Sequence, residues 1–231
     1  MWINYYWWLA IPGLILGVYA QFKLNAAYAR YSEIGSGSGL SGAEAAREIL
    51  DRAGLRNIPV EEIRGRLTDH FDPVKKALFL SSENFHGHSV AAVGVAAHET
   101  GHALQQQAAY SLFNLRMAIA PATQFASYGY MGITLVGWFL GGALFSKFLL
   151  LAIVLFAVIT FFQIVTLPVE FDASHRAEQQ LAKLGLVRGD EVPAVHDMLN
   201  AAALTYVAAM LAAVMQLLEL ILLFNRGRNR D

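Results

Sequence analysis

The segment Val95-Ala96-Ala97-His98-Glu99-Thr100-Gly101-His102-Ala103-Leu104 sets three ionisable side chains into a run of small apolar residues. Ala91, Ala92, Gly94, Ala96 and Ala97 make residues 89–107 a slim helix that neighbouring elements can approach closely. Burying two imidazoles and a carboxylate in such a helix costs roughly several kcal/mol unless something satisfies them. Residues four apart share a helix face, so His98 and His102 direct ring nitrogens at one point, with Glu99 one residue round from it.

That spacing is suited to a metal with a base beside it. The chain has no cysteine, so any metal rests on nitrogen and oxygen ligands. Zinc on three protein ligands keeps one position for water and lowers the pKa of that water to about 7, where a glutamate can take its proton during attack on a carbonyl. Peptide hydrolysis with one zinc per chain is the expected chemistry, with Glu99 as general base.

Composition places this helix in a membrane protein. Of 231 residues 56% are hydrophobic and 15% charged, gathered in blocks longer than a soluble core needs. A net charge of -1 and the lack of a long basic stripe give no reason to expect nucleic acid. Residues 5–20, 117–140, 148–167 and 203–224 are candidate spans at about 20 apolar residues each. The first is short and broken by Pro12-Gly13, while Trp2, Tyr5, Tyr6, Trp7 and Trp8 suit an interfacial aromatic belt. A cleaved signal ending at Val18-x-Ala20 is its rival. Without a positively charged leading region, an uncleaved anchor is the better reading.

The expected architecture is therefore mainly α: a polytopic membrane protein with about four transmembrane helices and a zincin-like catalytic domain built from the active-site helix and a small β element. Residues 1–20 form the anchor, 21–116 the extramembrane catalytic domain, 117–167 a transmembrane hairpin turning at Gly141-Gly142-Ala143, 168–202 a second polar excursion, and 203–231 the last span with a basic tail. Within 21–116, Gly35-Ser36-Gly37-Ser38-Gly39 reads as a flexible link. Ser41-Gly42-Ala43-Glu44 is a capping-box pattern ahead of a helix that stops at Gly54. Residues 67–73 and 76–81 read as two short strands, with Pro73 marking an edge, and the second is the candidate edge for pairing with an extended substrate peptide. In the excursion a helix is expected over 169–184, ending at Gly185, and the final helix starts near Asp190-Glu191 and continues into the last span.

A third ligand must lie on the same side of the membrane as His98 and His102, and the hairpin returns the chain to that side. The candidates are Glu170, Asp172 and Glu178, with His175 as a nitrogen alternative. Glu170 is preferred because it stands at the foot of the third span, with Ser174 one turn later on its face.

His98-Glu99-Thr100-Gly101-His102-Ala103, Leu67-Thr68-Asp69-His70-Phe71-Asp72-Pro73 and Leu167-Pro168-Val169-Glu170-Phe171-Asp172-Ala173-Ser174 together resemble the YugP-type membrane zinc metallopeptidases over nearly the whole chain. More distantly the chain is similar to the membrane gluzincins that include the HtpX stress proteases and the prenyl-protein endopeptidases. The resemblance implies zinc held by His98, His102 and Glu170, with Glu99 catalytic. It also exposes a departure: the distant relatives carry an aspartate where this chain has Ser174, so orientation of a ligand histidine passes to Asp172, Asp69 or Asp72.

His70 is a candidate hydrogen-bond donor to the tetrahedral intermediate, against the plainer reading of a turn histidine held by Asp69 or Asp72. His175 stands between the same donor role and surface exposure, and His86 and His88 read as solvated loop residues. Glu219, inside the fourth span, suggests an ion path, though it lies close enough to Phe224 to reach the headgroups. For sidedness, Lys23, Arg30, Arg116, Arg176 and Lys183 favour a cytoplasmic active site, against Arg226, Arg228 and Arg230. The expected partners are the bilayer and protein or peptide substrates associated with it. Two other classes stay open: a non-proteolytic zinc-binding scaffold or sensor, and a transporter using Glu219 with Gly129, Gly132, Gly137, Gly141 and Gly142.

Overall fold

A computed structural model describes residues 6–140 and 142–228. Trp2 and Tyr5 of the aromatic belt, Gly141 of the hairpin and Arg230 of the tail lie outside the described residues. The fold is mainly helical with one small sheet, and the chain divides into two compact units. One comprises Met1–Tyr19, Asn114–Pro168 and Thr205–Asp231, the other Ala20–Phe113 and Val169–Leu204.

Among the described residues the first unit is built mainly from parts of four α-helices: α1 (Ala10–Ser32), α5 (Ser111–Leu140), α6 (Gly142–Lys183) and α7 (Val192–Arg228). Pro12 does not break α1. It sits in the first turn, where a backbone N–H has no helical acceptor to lose. Gly13 lies against α7, where an added Cβ would stand 2.8 Å from Ala212 Cα. Among the described residues three helices are long and apolar enough to cross a membrane: Trp7–Ser32, Lys147–Lys183 and Val192–Gly227. The helix α5, which carries the expected second span, is not one of them; Thr123, Gln124 and Ser127 dilute its apolar character. Thr123 and Ser127 return their hydroxyls to the backbone carbonyls of Ile119 and Thr123. Gly129 meets Leu155, which is close packing. Glu219 is only 5% exposed, so it packs within the protein.

Two expectations about helix ends are corrected. The helix α1 runs to Ser32, past the expected end at residue 20, and Tyr28 and Tyr31 join the core of the second unit. The third span and the helix of the excursion are one element, α6, continuous through Pro168. A proline forfeits one backbone hydrogen bond, and the packing of a 42-residue helix overrides that local preference.

The core of the second unit gathers Ala45 and Ile49 of α2 (Gly42–Arg52), Val90, Val93 and Ala97 of α4 (Val90–Gln107), Leu181 of α6 and Met198 of α7. Gly94 keeps α4 slim enough for the Met198 side chain to lie against it. The capping box at α2 is formed: Ser41 Oγ accepts from the Glu44 N–H and Glu44 Oε2 accepts from the Ser41 N–H at 2.8 Å. That second bond holds the Glu44 carboxyl below the usual carboxylate range. Gly54, at φ +78°, ends the turn after α2 in a conformation that side chains rarely adopt.

The Gly/Ser link is a strap, not a flexible tether. Ser36 N–H donates to His88 O, Val90 N–H to Ile34 O, and Gly37 N–H to Glu191 Oε2, while Ser36 Oγ donates to Leu186 O. Its small residues let the backbone itself make those bonds.

The sheet has three strands in the order β1-β3-β2: β1 (Val60–Ile63), β2 (His70–Asp72) and β3 (Ala77–Ser81). The pair β1–β3 is parallel and β2–β3 antiparallel with Phe71 opposite Leu78. Residues 76–81 were the expected edge; β3 is the central strand instead, because β1, whose Val60-Glu61-Glu62-Ile63 carries little strand signal, covers its other side. The edge that Pro73 marks is β2. A short helix, α3 (Ser82–His86), leads from the sheet towards α4.

Replacing Ser41 with alanine removes the acceptor for the Glu44 N–H and is expected to destabilise the protein by about 1 kcal/mol. Equilibrium denaturation of the detergent-solubilised variant checks this, and an unchanged midpoint would show that the box does not hold α2.

Candidate metal centre

The helix α4 starts where Ser89 Oγ accepts from the Ala92 N–H, and its run of alanine and glycine brings α6 against it. They come close at Gly101, where an added Cβ would fall well inside contact distance of the Ala173 carbonyl oxygen. This approach sets Glu170 of α6 between the two histidines of α4. His98 Nε2 lies 3.3 Å from Glu170 Oε2 and His102 Nε2 lies 3.5 Å from the same oxygen. The three donor atoms lie within 4.8 Å of one another. Glu170 is 1% exposed and His102 8%, with the His98 side chain at 14%.

These atoms fit zinc. Ligands about 2.1 Å from a metal at tetrahedral corners stand about 3.4 Å apart, which is the spacing between each imidazole nitrogen and the carboxylate. Two nitrogens and a buried carboxylate oxygen form a donor set for a borderline cation, and a carboxylate so deeply buried requires positive charge beside it. The other ring nitrogens are occupied, as orientation of ligand histidines requires: His98 Nδ1 is 3.1 Å from Ser174 Oγ, and His102 Nδ1 donates to Gln105 Oε1 at 2.9 Å.

Glu99 is partly buried, one residue round α4 from His98, and its Oε2 accepts from the Phe71 N–H at 3.1 Å. Phe71 is the middle residue of β2, so the base candidate stands at the open edge of the sheet. The remaining expected residues separate into two groups. Ser174 and Asp172 join the cluster, the first through His98 and the second through Gln105, whose Nε2 donates to Asp172 Oδ2 at 2.8 Å.

Asp69, Asp72, His70 and His175 are engaged elsewhere. Asp69 accepts from the Ser81 N–H and from Asn84 Nδ2, fastening the segment before β2 to β3 and α3. Asp72 accepts from the N–H groups of Lys75 and Val74, which hold its carboxyl below the usual range and shape the turn before β3. His70 stacks on Phe79, and its Nδ1 faces the carbonyl of Thr68 at 2.9 Å. A carbonyl only accepts, so Nδ1 carries a hydrogen towards Thr68. His175 is exposed and paired with Gln179 one turn along α6. His86 meets Glu62, and His88 meets the Gly39 carbonyl, both at the surface. Gln105 and the Phe71 N–H were not foreseen. Gln105 had a signal, three residues beyond His102 on the same helix face; the Phe71 N–H had none, because it depends on a strand pairing.

Residues 6–225 match the family described as putative neutral zinc metallopeptidase. A protein of Bacillus subtilis (strain 168), described as "Putative membrane protease YugP", is 45% identical over 225 residues, covering 96% of this chain and 98% of that protein. The chain belongs to the putative neutral zinc metallopeptidase family. No solved structure matches it.

Gly101→Ala tests the approach of the two helices. Helix propensity alone favours alanine by about 1 kcal/mol, whereas a Cβ forced against the Ala173 carbonyl is expected to destabilise by about 1–3 kcal/mol. A lowered denaturation midpoint together with reduced zinc content is the expected result, and a raised midpoint would show that the approach is not tight.

Proposed function

We propose that the protein is a membrane-embedded, zinc-dependent endopeptidase of gluzincin type, with His98, His102 and Glu170 as ligands and Glu99 as general base. The observation that carries the reading is the convergence of two imidazole nitrogens and a buried carboxylate on one point, with Glu99 on the same helix turned to the sheet edge. Bound there, zinc supplies a Lewis acid for the peptide carbonyl and acidifies water at neutral pH.

The chain's own residues do the remainder. Glu170 and the two histidines set the position, and Gly101 allows the helices the approach it needs. Glu99 takes the proton from the attacking water and returns it to the leaving amine. The Phe71 N–H steadies Oε2, which leaves Oε1 to carry the proton.

The membrane setting follows from the apolar helices and from the family. We read four spans, counting α5 with the three that stand out by hydropathy. Glu170 comes three residues after the end of the third span at residue 167, so the site lies near the membrane surface and its substrates are membrane-associated proteins or peptides. The basic residues near the spans favour the cytoplasmic face, five against three.

Purified wild type and Glu99→Gln are both expected to hold near one zinc per chain, with cleavage of casein or a quenched peptide only in wild type. The loss of kcat/KM is expected to be about 10²–10⁴-fold. Zinc in both proteins without cleavage by either would favour the scaffold or sensor. Glu170→Ala and His98→Ala are expected to lose the metal itself, measured by elemental analysis after gel filtration.

A further inference from the structure

A polar chain joins the two ligand-bearing helices behind the site. Gln105 is fully buried. Its Nε2 lies 2.7 Å from the Val169 carbonyl oxygen and 2.8 Å from Asp172 Oδ2. A carbonyl and a carboxylate only accept hydrogen bonds, so the amide nitrogen must face them and the amide oxygen must point the other way. That oxygen lies 2.9 Å from His102 Nδ1. It too only accepts, so Nδ1 carries the hydrogen. In the neutral ring the lone pair is then on Nε2, the atom turned towards Glu170. Nothing comparable decides His98, because the Ser174 hydroxyl at its Nδ1 can donate or accept.

We propose that Gln105 is a positioning residue for the metal, which through its amide uses the Val169 carbonyl and the Asp172 carboxylate to fix His102 in the form that presents Nε2. The proposal rests on the zinc reading above. Val169 and Asp172 flank Glu170 on α6, so the contacts that orient His102 also fix the rotation of α6 that presents the third ligand. Asp172 is itself held by Arg176, whose Nε donates to Oδ2 at 2.6 Å and whose guanidinium lies 5.8 Å from the centre of the Tyr110 ring. The carboxylate thus acts on the histidine through an amide.

The test compares zinc dissociation constants, by competition with a chelator, in detergent-purified wild type, Gln105→Leu and Gln105→Glu. Cobalt-substituted absorption spectra and apo-protein melting curves accompany them. Gln105→Leu, which removes the acceptor, is expected to weaken zinc binding by about 10–100-fold and to alter the cobalt spectrum. Gln105→Glu, which restores an oxygen to Nδ1, is expected to recover most of that affinity. Gln105→Leu binding zinc as tightly as wild type would overturn the proposal while leaving the metal site standing. Equal losses in both variants, matched by equal losses of apo-protein stability, would make Gln105 a packing residue and overturn it as well. A wild type that binds no zinc would overturn the metal reading and this proposal together.

Discussion

The close approach of α4 and α6 at Gly101, against the Ala173 carbonyl, is the constraint on which the candidate centre depends. Two histidines on one helix face provide two donor atoms and no more. The third arrives on another helix, 72 residues beyond His98, and reaches the same point only because the two backbones come together where α4 has no side chain. Every other small residue in α4 acts in the same sense: Gly94 admits Met198, and the buried alanines keep the helix thin.

The polar groups around the centre follow from the penalty of burying Glu170. A carboxylate at 1% exposure, with imidazoles on it and backbone behind it, leaves few ways to satisfy each donor and acceptor. Gln105 satisfies three groups at once, and Asp172 with Arg176 closes the chain at its outer end. The two histidines are held differently: His98 by a hydroxyl that can turn either way, His102 by an amide whose direction is dictated by its neighbours. The Ser174 hydroxyl sits on His98, while the Asp172 carboxylate reaches His102 through the Gln105 amide.

The sheet serves the site through one backbone group. β2 is one of the two outer strands of the sheet, and its side away from β3 turns the Phe71 N–H to Glu99. Asp69 and Asp72, which the sequence offered as partners for a ligand histidine, hold the ends of β2 and so bear on Glu99 at one remove.

Features governed by neighbours along the chain were legible without a structure. The common face of His98 and His102, the capping box at Ser41 and the start of α4 at Ser89 all depend on residues three or four apart, where helix geometry leaves little choice. Apolar length marked the long helices in the same way. Where local preference competed with tertiary packing, the sequence misled: Pro168 suggested a break that α6 does not make, and the Gly/Ser run suggested a tether where the backbone is bonded on both sides. The position of β1, the centrality of β3 and the direction of the Gln105 amide had no local signature. They are decided by which backbone carbonyls and carboxylates lie opposite one another once distant segments meet, and a hydrogen bond's direction is fixed only when both its partners are in place.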